Sequence, residues 1–147
     1  ACGEATGGMH GADRIGGLSS ANGIVFGRIA GASAALAAQK EPEAALKADI
    51  TLPQYGIATT DAERLTHSLR HTMSTYCMIN RAETGLSEAL QQLESLQDEA
   101  TALNKPHAND SEIAALARLQ SQIQLAQEMV KAMRKRTESL GSHFRAD

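Results

Sequence analysis

The residues best suited to chemistry crowd into the opening of this 147-residue chain. Gly3 to Gly17 is rich in glycine, carries Glu4, His10 and Arg14, and runs into Leu18-Ser19-Ser20. Clustered glycines let a backbone turn sharply and approach a ligand without Cβ collisions. A helix starting near Leu18–Ser20 offers its first free N–H groups to an anion or to an electron-rich ring edge. Arg14, just upstream, has a planar fork suited to a carboxylate. Glycine loop, arginine and helix N-terminus together fit recognition of an anionic ligand beside a cofactor. A flexible surface loop would have the same composition, so these residue types do not decide the matter alone.

Two other groupings carry less. His67 and His71 stand four apart on an expected helix, the spacing of a metal pair, but no third ligand of matched spacing follows and they read as surface histidines. Cys2 and Cys77 lie far apart in sequence, and two cysteines do not make a secreted disulfide framework, though a single disulfide between them stays open. Cys77 falls on an apolar face and reads as a small buried hydrophobe.

The elements that must position these groups differ between two regions. Nine of the twelve glycines fall within the first 31 residues. Up to about Ala38 the chain reads as loop and then helix, with Gly23, Gly27, Gly31 and Ala35 on one face for close packing. In a membrane the same spacing would promote helix pairing. Arg28 argues against a span, since a charge near its middle costs roughly 2.5–3.5 kcal/mol or more. Residues 39–59, with Pro42 and Pro53, read as a connector holding a short helix at Glu43–Lys47.

From Thr60 onward helical periodicity takes over. Thr60 and Glu63 have capping-box spacing, ahead of a stripe of Leu65, Leu69, Met73, Tyr76 and Cys77 that predicts a helix to about Arg81. Gly85 is expected to break the pattern. Leu86, Leu90, Leu93, Leu96, Ala100 and Leu103 mark a second helix, stopped by Asn104-Lys105-Pro106. Asp110 or Ser111 is expected to cap a third, striped by Leu116, Leu119, Ile123, Ala126, Val130, Met133 and Thr137 and stopped near Gly141. Each helix is apolar on one side only, so the three are expected to share a core as an antiparallel bundle. The charged run Lys131–Arg136 reads as a solvated face.

Composition agrees with a mainly α fold. Aromatic residues are 3% of the chain and Trp is absent, so the core must be aliphatic. With 14 Lys and Arg against 17 Asp and Glu, the net charge is −3, which gives no electrostatic case for nucleic acid. The chain opens on Ala1-Cys2-Gly3-Glu4 without an initiator Met, and is expected to be a fragment or a processed subunit.

Three blocks in order, Gly3-Glu4-Ala5-Thr6-Gly7-Gly8, His10-Gly11-Ala12-Asp13-Arg14-Ile15-Gly16-Gly17 and Val25-Phe26-Gly27-Arg28-Ile29-Ala30-Gly31, closely resemble the last FAD-contacting stretch of the succinate dehydrogenase/fumarate reductase flavoproteins. Leu69-Arg70-His71-Thr72-Met73, Ile79 to Leu86 and Arg136 to Arg145 resemble that family's helical C-terminal domain. The resemblance implies residues 1–38 as the end of an FAD-binding domain and 60–147 as the C-terminal domain. It also implies hydride transfer between flavin and a dicarboxylate-like substrate.

By the same resemblance, Glu4 contacts the FAD ribityl or ribose, and Ser19 and Ser20 stand near the flavin pyrimidine edge. Arg14 grips a substrate carboxylate, and His10 shapes the substrate loop. The partners implied are an upstream FAD-binding portion and an electron-transfer subunit, with a homodimer through the bundle as a further expectation. The implied setting is cytoplasmic, peripheral on the membrane through partner subunits.

Asp13 and Leu18 depart from the family's usual Asn, and Leu140 and Ser142 from its Arg-Gly-Ala ending. An acid beside Arg14 is expected to neutralise it in part, so the substrate need not be plain succinate or fumarate. No G-x-G-x-x-G occurs in the sequence, and the isolated chain is expected to be inactive. The alternative is a helical docking module without catalysis.

Overall fold

A computed structural model describes residues 1–11, 13–40 and 53–147. The connector helix expected at Glu43–Lys47 lies outside the described residues. The chain divides into two units, Ala1–Ile50 and Thr51–Asp147, and the described part is mainly helical, the class expected from its periodicity and composition.

In the first unit a short 3-10 turn, Gly3–Thr6, precedes α1, Leu18–Ala38. The helix starts where the glycine pair ends because Gly17, at φ 87°, turns the chain into it. Gly3, at φ 66°, is buried against α1, and a Cβ there would lie 3.6 Å from the Gly23 Cα. A Cβ on Gly27 would lie 3.9 Å from the Cys2 sulfur. The start of the chain therefore lies against α1 near Gly23 and Gly27, although a Cβ built on Gly23 itself would meet nothing described within 4 Å. Nothing described lies within 4 Å of a Cβ built on Gly31.

No side chain of α1 is buried, and Ile24, Val25, Phe26, Ile29 and Leu36 are all exposed. Among the described residues α1 alone is long and apolar enough to cross a membrane, a test that the core helix of a soluble protein also passes. Small and apolar residues all round its surface, with Arg28 near mid-length, suit a helix enclosed by other protein.

The second unit packs α2 (Thr59–Tyr76), α3 (Glu83–Ala102) and α4 (Asp110–Lys135) around one aliphatic core. Leu65, Leu86, Leu93, Leu119, Ile123 and Val130 are fully buried there, with Ile57. Arg64 near the start of α2 bonds Glu99 near the end of α3, and Thr72 meets Gln92 further along, so these helices run antiparallel. Glu83 at the start of α3 pairs with Arg134 at the end of α4, so these two also run antiparallel. It follows that α2 and α4 run parallel.

Four two-residue strands join the helix ends. β1 (Tyr55–Gly56) pairs antiparallel with β3 (Lys105–Pro106), and β2 (Asn80–Arg81) pairs parallel with β4 (Phe144–Arg145). This second pairing corrects the expected helix to Arg81. α2 stops at Tyr76 because residues 79–81 take backbone partners from the tail, with Phe144 donating to the Ile79 carbonyl and Ala146 to that of Arg81.

Gly85 lies inside α3 rather than ending a helix, and a Cβ there would come within 3.3 Å of the Tyr76 ring. The Thr60–Glu63 capping box does not form. Ala58 is the N-cap of α2, without a side-chain bond, and Thr59 is already helical.

The cap of α4 is Asn109, not Asp110 or Ser111. Asn109 accepts from the Glu112 amide while Glu112 reaches back to the Asn109 amide, at 3.0 and 3.1 Å. That reciprocal pair satisfies two donors at once. α4 ends at Lys135, short of Thr137 and Gly141.

Candidate functional site

In the first unit the loop is folded onto the start of α1 by its own bonds. Thr6 Oγ1 donates to the Gly3 carbonyl at 2.7 Å, the Gly7 amide closes the turn on Glu4 at 3.0 Å, and Asn22 Nδ2 donates to the Met9 sulfur at 3.4 Å. Gly7, Gly8 and Gly11 all have φ between 64° and 70°, a left-handed region that costs a residue with a side chain about 1–2 kcal/mol. This route returns the chain to α1.

Arg14 and Ser19 are brought together. Arg14 Nη1 donates to Ser19 Oγ at 2.8 Å, which sets the guanidinium at the helix N-terminus. Leu18 bonds the Ile15 carbonyl and Ala21 the Gly17 carbonyl, so the Ser19 and Ser20 amides between them are the first-turn donors left over among the described residues. The guanidinium and the helix dipole put positive charge at one place, as anion binding requires. Asp13 Oδ1 accepts the Arg14 amide at 2.7 Å and makes no ion pair with the guanidinium among the described residues. The acid beside Arg14 is thus turned onto the backbone.

Glu4 and His10 form a second pair. The Glu4 carboxylate is mostly exposed, and His10 Nε2 lies 3.3 Å from it. The approach is poorly aligned, and that nitrogen is buried without a hydrogen bond among the described residues. The carboxylate is thus open to a ligand, and the imidazole is largely enclosed. Asn22 and Met9 were not legible as site residues. Their bond depends on a loop path that no local spacing encodes.

In the second unit Cys77 is buried, and that burial pushes its thiol above the usual range, against the opposing charge of Arg81. His67 and His71 are exposed, and no cluster of three metal-ligating side chains occurs among the described residues.

The described residues form a glycine loop with a helix in one unit and a mainly helical second unit, and that defines the fold class. The particular family follows from comparison. Residues 66–147 match the fumarate reductase flavoprotein C-terminal family, and the chain belongs to it. An uncharacterised FAD-dependent oxidoreductase of Methanocaldococcus jannaschii is 33% identical over all of this chain. One subunit of the CoM/CoB fumarate reductase of Methanothermobacter marburgensis is 29% identical, also over all of it. The chain spans 28% of the length of each of these curated relatives. No solved structure matches it.

Proposed function

We propose that this chain forms one wall of the flavin and substrate site of an FAD-dependent oxidoreductase of the fumarate reductase/succinate dehydrogenase type. The observation that carries the reading is the Arg14 guanidinium held on Ser19, beside Ser19 and Ser20 amides that have no partner among the described residues. When bound, FAD supplies hydride chemistry between its N5 and a carbon adjacent to a carboxylate.

This chain's residues do the positioning. Arg14 clamps the carboxylate and holds the reacting carbon close. The Ser19 and Ser20 amides stabilise negative charge at the pyrimidine edge of the reduced ring. Glu4 accepts from cofactor hydroxyls, and the enclosed His10 keeps the loop in shape. The exposed apolar surface of α1 packs into an upstream FAD-binding portion, which the short coverage of the two relatives supports.

In the intact enzyme, Arg14→Ala lowers kcat/KM for a dicarboxylate by about 100-fold or more and leaves flavin content unchanged. Unchanged turnover and substrate affinity would remove Arg14 from the site. The 147-residue chain alone neither holds FAD tightly nor turns over substrate, and full-occupancy flavin absorbance in the purified chain would overturn that part.

A further inference from the structure

The tail that follows α4 is fastened at His143, a residue only 8% exposed. Its backbone is fixed from both sides. The His143 amide donates to the Leu140 carbonyl at 3.2 Å, and its own carbonyl accepts the Leu140 amide at 2.9 Å. Gly141, at φ 61°, permits that tight turn. The ring Nδ1 meets Arg81 Nη1, and Nε2 lies 3.5 Å from the Arg136 carbonyl. Arg81 is held in its turn, donating from Nε to the Cys77 carbonyl at 3.4 Å.

The contact with Arg81 fixes the protonation state of the ring. A guanidinium donates and has no acceptor, so the nitrogen facing it must present a lone pair. The proton of the neutral imidazole then sits on Nε2, toward the Arg136 carbonyl. A second proton on the ring would set N–H against N–H and a positive charge against Arg81.

The surroundings make that charge unwelcome. Arg145 stands opposite Arg81 in the β2–β4 register, and Arg136 caps the end of α4. Burial already lowers the Arg81 guanidinium from its ordinary value, opposed by Cys77 and reinforced by Arg136. The Cys77 thiol is itself pushed up by burial and stays neutral. The acids at this end of the bundle, Glu83 and Asp147, are paired with Arg134 and Arg145. Lys135 and Glu138, close by in the chain, are exposed.

We propose that His143 is an acid-sensitive latch, whose protonation releases residues 137–147 from the ends of α3 and α4 while the helical core stays folded. The tail is joined to the bundle through β4, the Arg145 guanidinium and the Asp147 carboxylate. Core residues such as Leu93 and Ile123 belong to the helices themselves. Opening therefore uncovers Arg145 and the start of α3 without dismantling the core.

A histidine held neutral in the closed form contributes stability that is complete above the value of free imidazole, about 6.5, and declines as pH falls below it. With one proton taken up per opening, the open fraction rises about tenfold per pH unit in that range. The Asp147 carboxyl, lowered to about 2, titrates well below this window.

The test is amide exchange on the 147-residue chain from about pH 7.5 to about pH 5, read at each pH as protection relative to an unstructured chain. The Phe144 and Ala146 amides, which donate to the Ile79 and Arg81 carbonyls, report the tail. Leu93 and Ile123 report the core. Tail protection should stay level near neutral pH and fall about tenfold between about pH 6 and about pH 5, with core protection unchanged. His143→Asn keeps an acceptor at the Nδ1 position that does not titrate there, and should level the tail profile. Ring 15N shifts near pH 7.5 should show the proton on Nε2 and none on Nδ1.

A tail profile that is flat in the parent chain, or a fall shared equally by the core, overturns the proposal. So does a ring proton on Nδ1, or an equal fall in the His143→Asn chain. If that substitution loosens the tail at every pH, the parent profile and the ring shifts decide alone.

Discussion

Asp147 caps a helix that begins 64 residues earlier, its carboxylate accepting the Glu83 amide at 2.8 Å. The N-cap position of α3, Ala82, has no side chain able to do this. Arg145 holds the capping carboxylate in place through Nε and Nη2, at 2.9 and 3.1 Å. Its Nη1 reaches the Met133, Arg134 and Arg136 carbonyls at the end of α4. A carboxylate thus meets the positive end of one helix and a guanidinium the negative end of the next, the favourable sense for both dipoles. The Arg145 side chain is only 5% exposed, so the tail closes over the helix ends instead of trailing from them.

This node makes stability depend on acid in a defined way. The Asp147 carboxyl is lowered from its ordinary 3.8 to about 2, first by the Arg145 bond and then by the Glu83 amide. A carboxyl depressed on folding contributes stability that is fully present above its unfolded value and lost as pH falls through its folded value. Asp147→Asn is therefore expected to lower Tm at neutral pH. The gap between variant and parent should close as pH falls from about 4 toward about 2. Glu83 is also lowered, chiefly by Arg134, but it titrates in both proteins and drops out of the comparison. Melting curves at a series of pH values check this, and a gap that stays constant through the acid range would refute it.

Gly56 is expected to tolerate no side chain. A Cβ there would stand 2.5 Å from the Ala108 Cβ and 2.7 Å from the Glu112 carbonyl carbon. The neighbouring Ile57 amide bonds the Glu112 oxygen at 3.3 Å, which pins β1 to the first turn of α4. Since that turn is held by the Asn109–Glu112 box, the backbone cannot retreat without breaking both. Gly56→Ala should cost about 2–3 kcal/mol by overpacking. Chemical denaturation measures it, and a change under about half a kcal/mol would show that the turn yields.

Apolar spacing exposed the core well, and long-range pairing was what it missed. Leu65, Leu69, Leu93, Leu96, Leu116, Leu119, Ile123 and Val130 were all placed on inward faces by period alone, and all are buried. The end of α2 was misplaced because the run through Met78 and Ile79 looks helical until Phe144 and Ala146 supply backbone partners. Gly85 reads locally as a breaker, but the Tyr76 ring uses the space its missing Cβ leaves. Asn109, Asp110 and Ser111 are all good caps. Only the third-residue rule, which puts Glu112 opposite Asn109, chooses among them. At the candidate site, residue type singles out Arg14 and the family resemblance the serines, whereas the contact between Arg14 and Ser19 depends on a path set by several left-handed glycines.

The exposed surface of α1 leads to the last expectation. A 21-residue helix with no buried side chain has little beyond intrinsic propensity to hold it, and isolated helices of this kind are marginal in water. Gly23, Gly27 and Gly31 each cost the interior about 1 kcal/mol relative to alanine. The second unit has a shared core instead, with Leu86, Leu93, Leu119 and Ile123 fully enclosed. Hydrogen exchange on the 147-residue chain should therefore find the α1 amides open to solvent within seconds, while those of α3 and α4 stay protected. In the intact enzyme the α1 amides should become protected, because the upstream portion then covers Ile24, Phe26 and Ile29. Equal protection of α1 in both forms would show that the helix needs no such cover, and would remove the packing role assigned to its apolar surface.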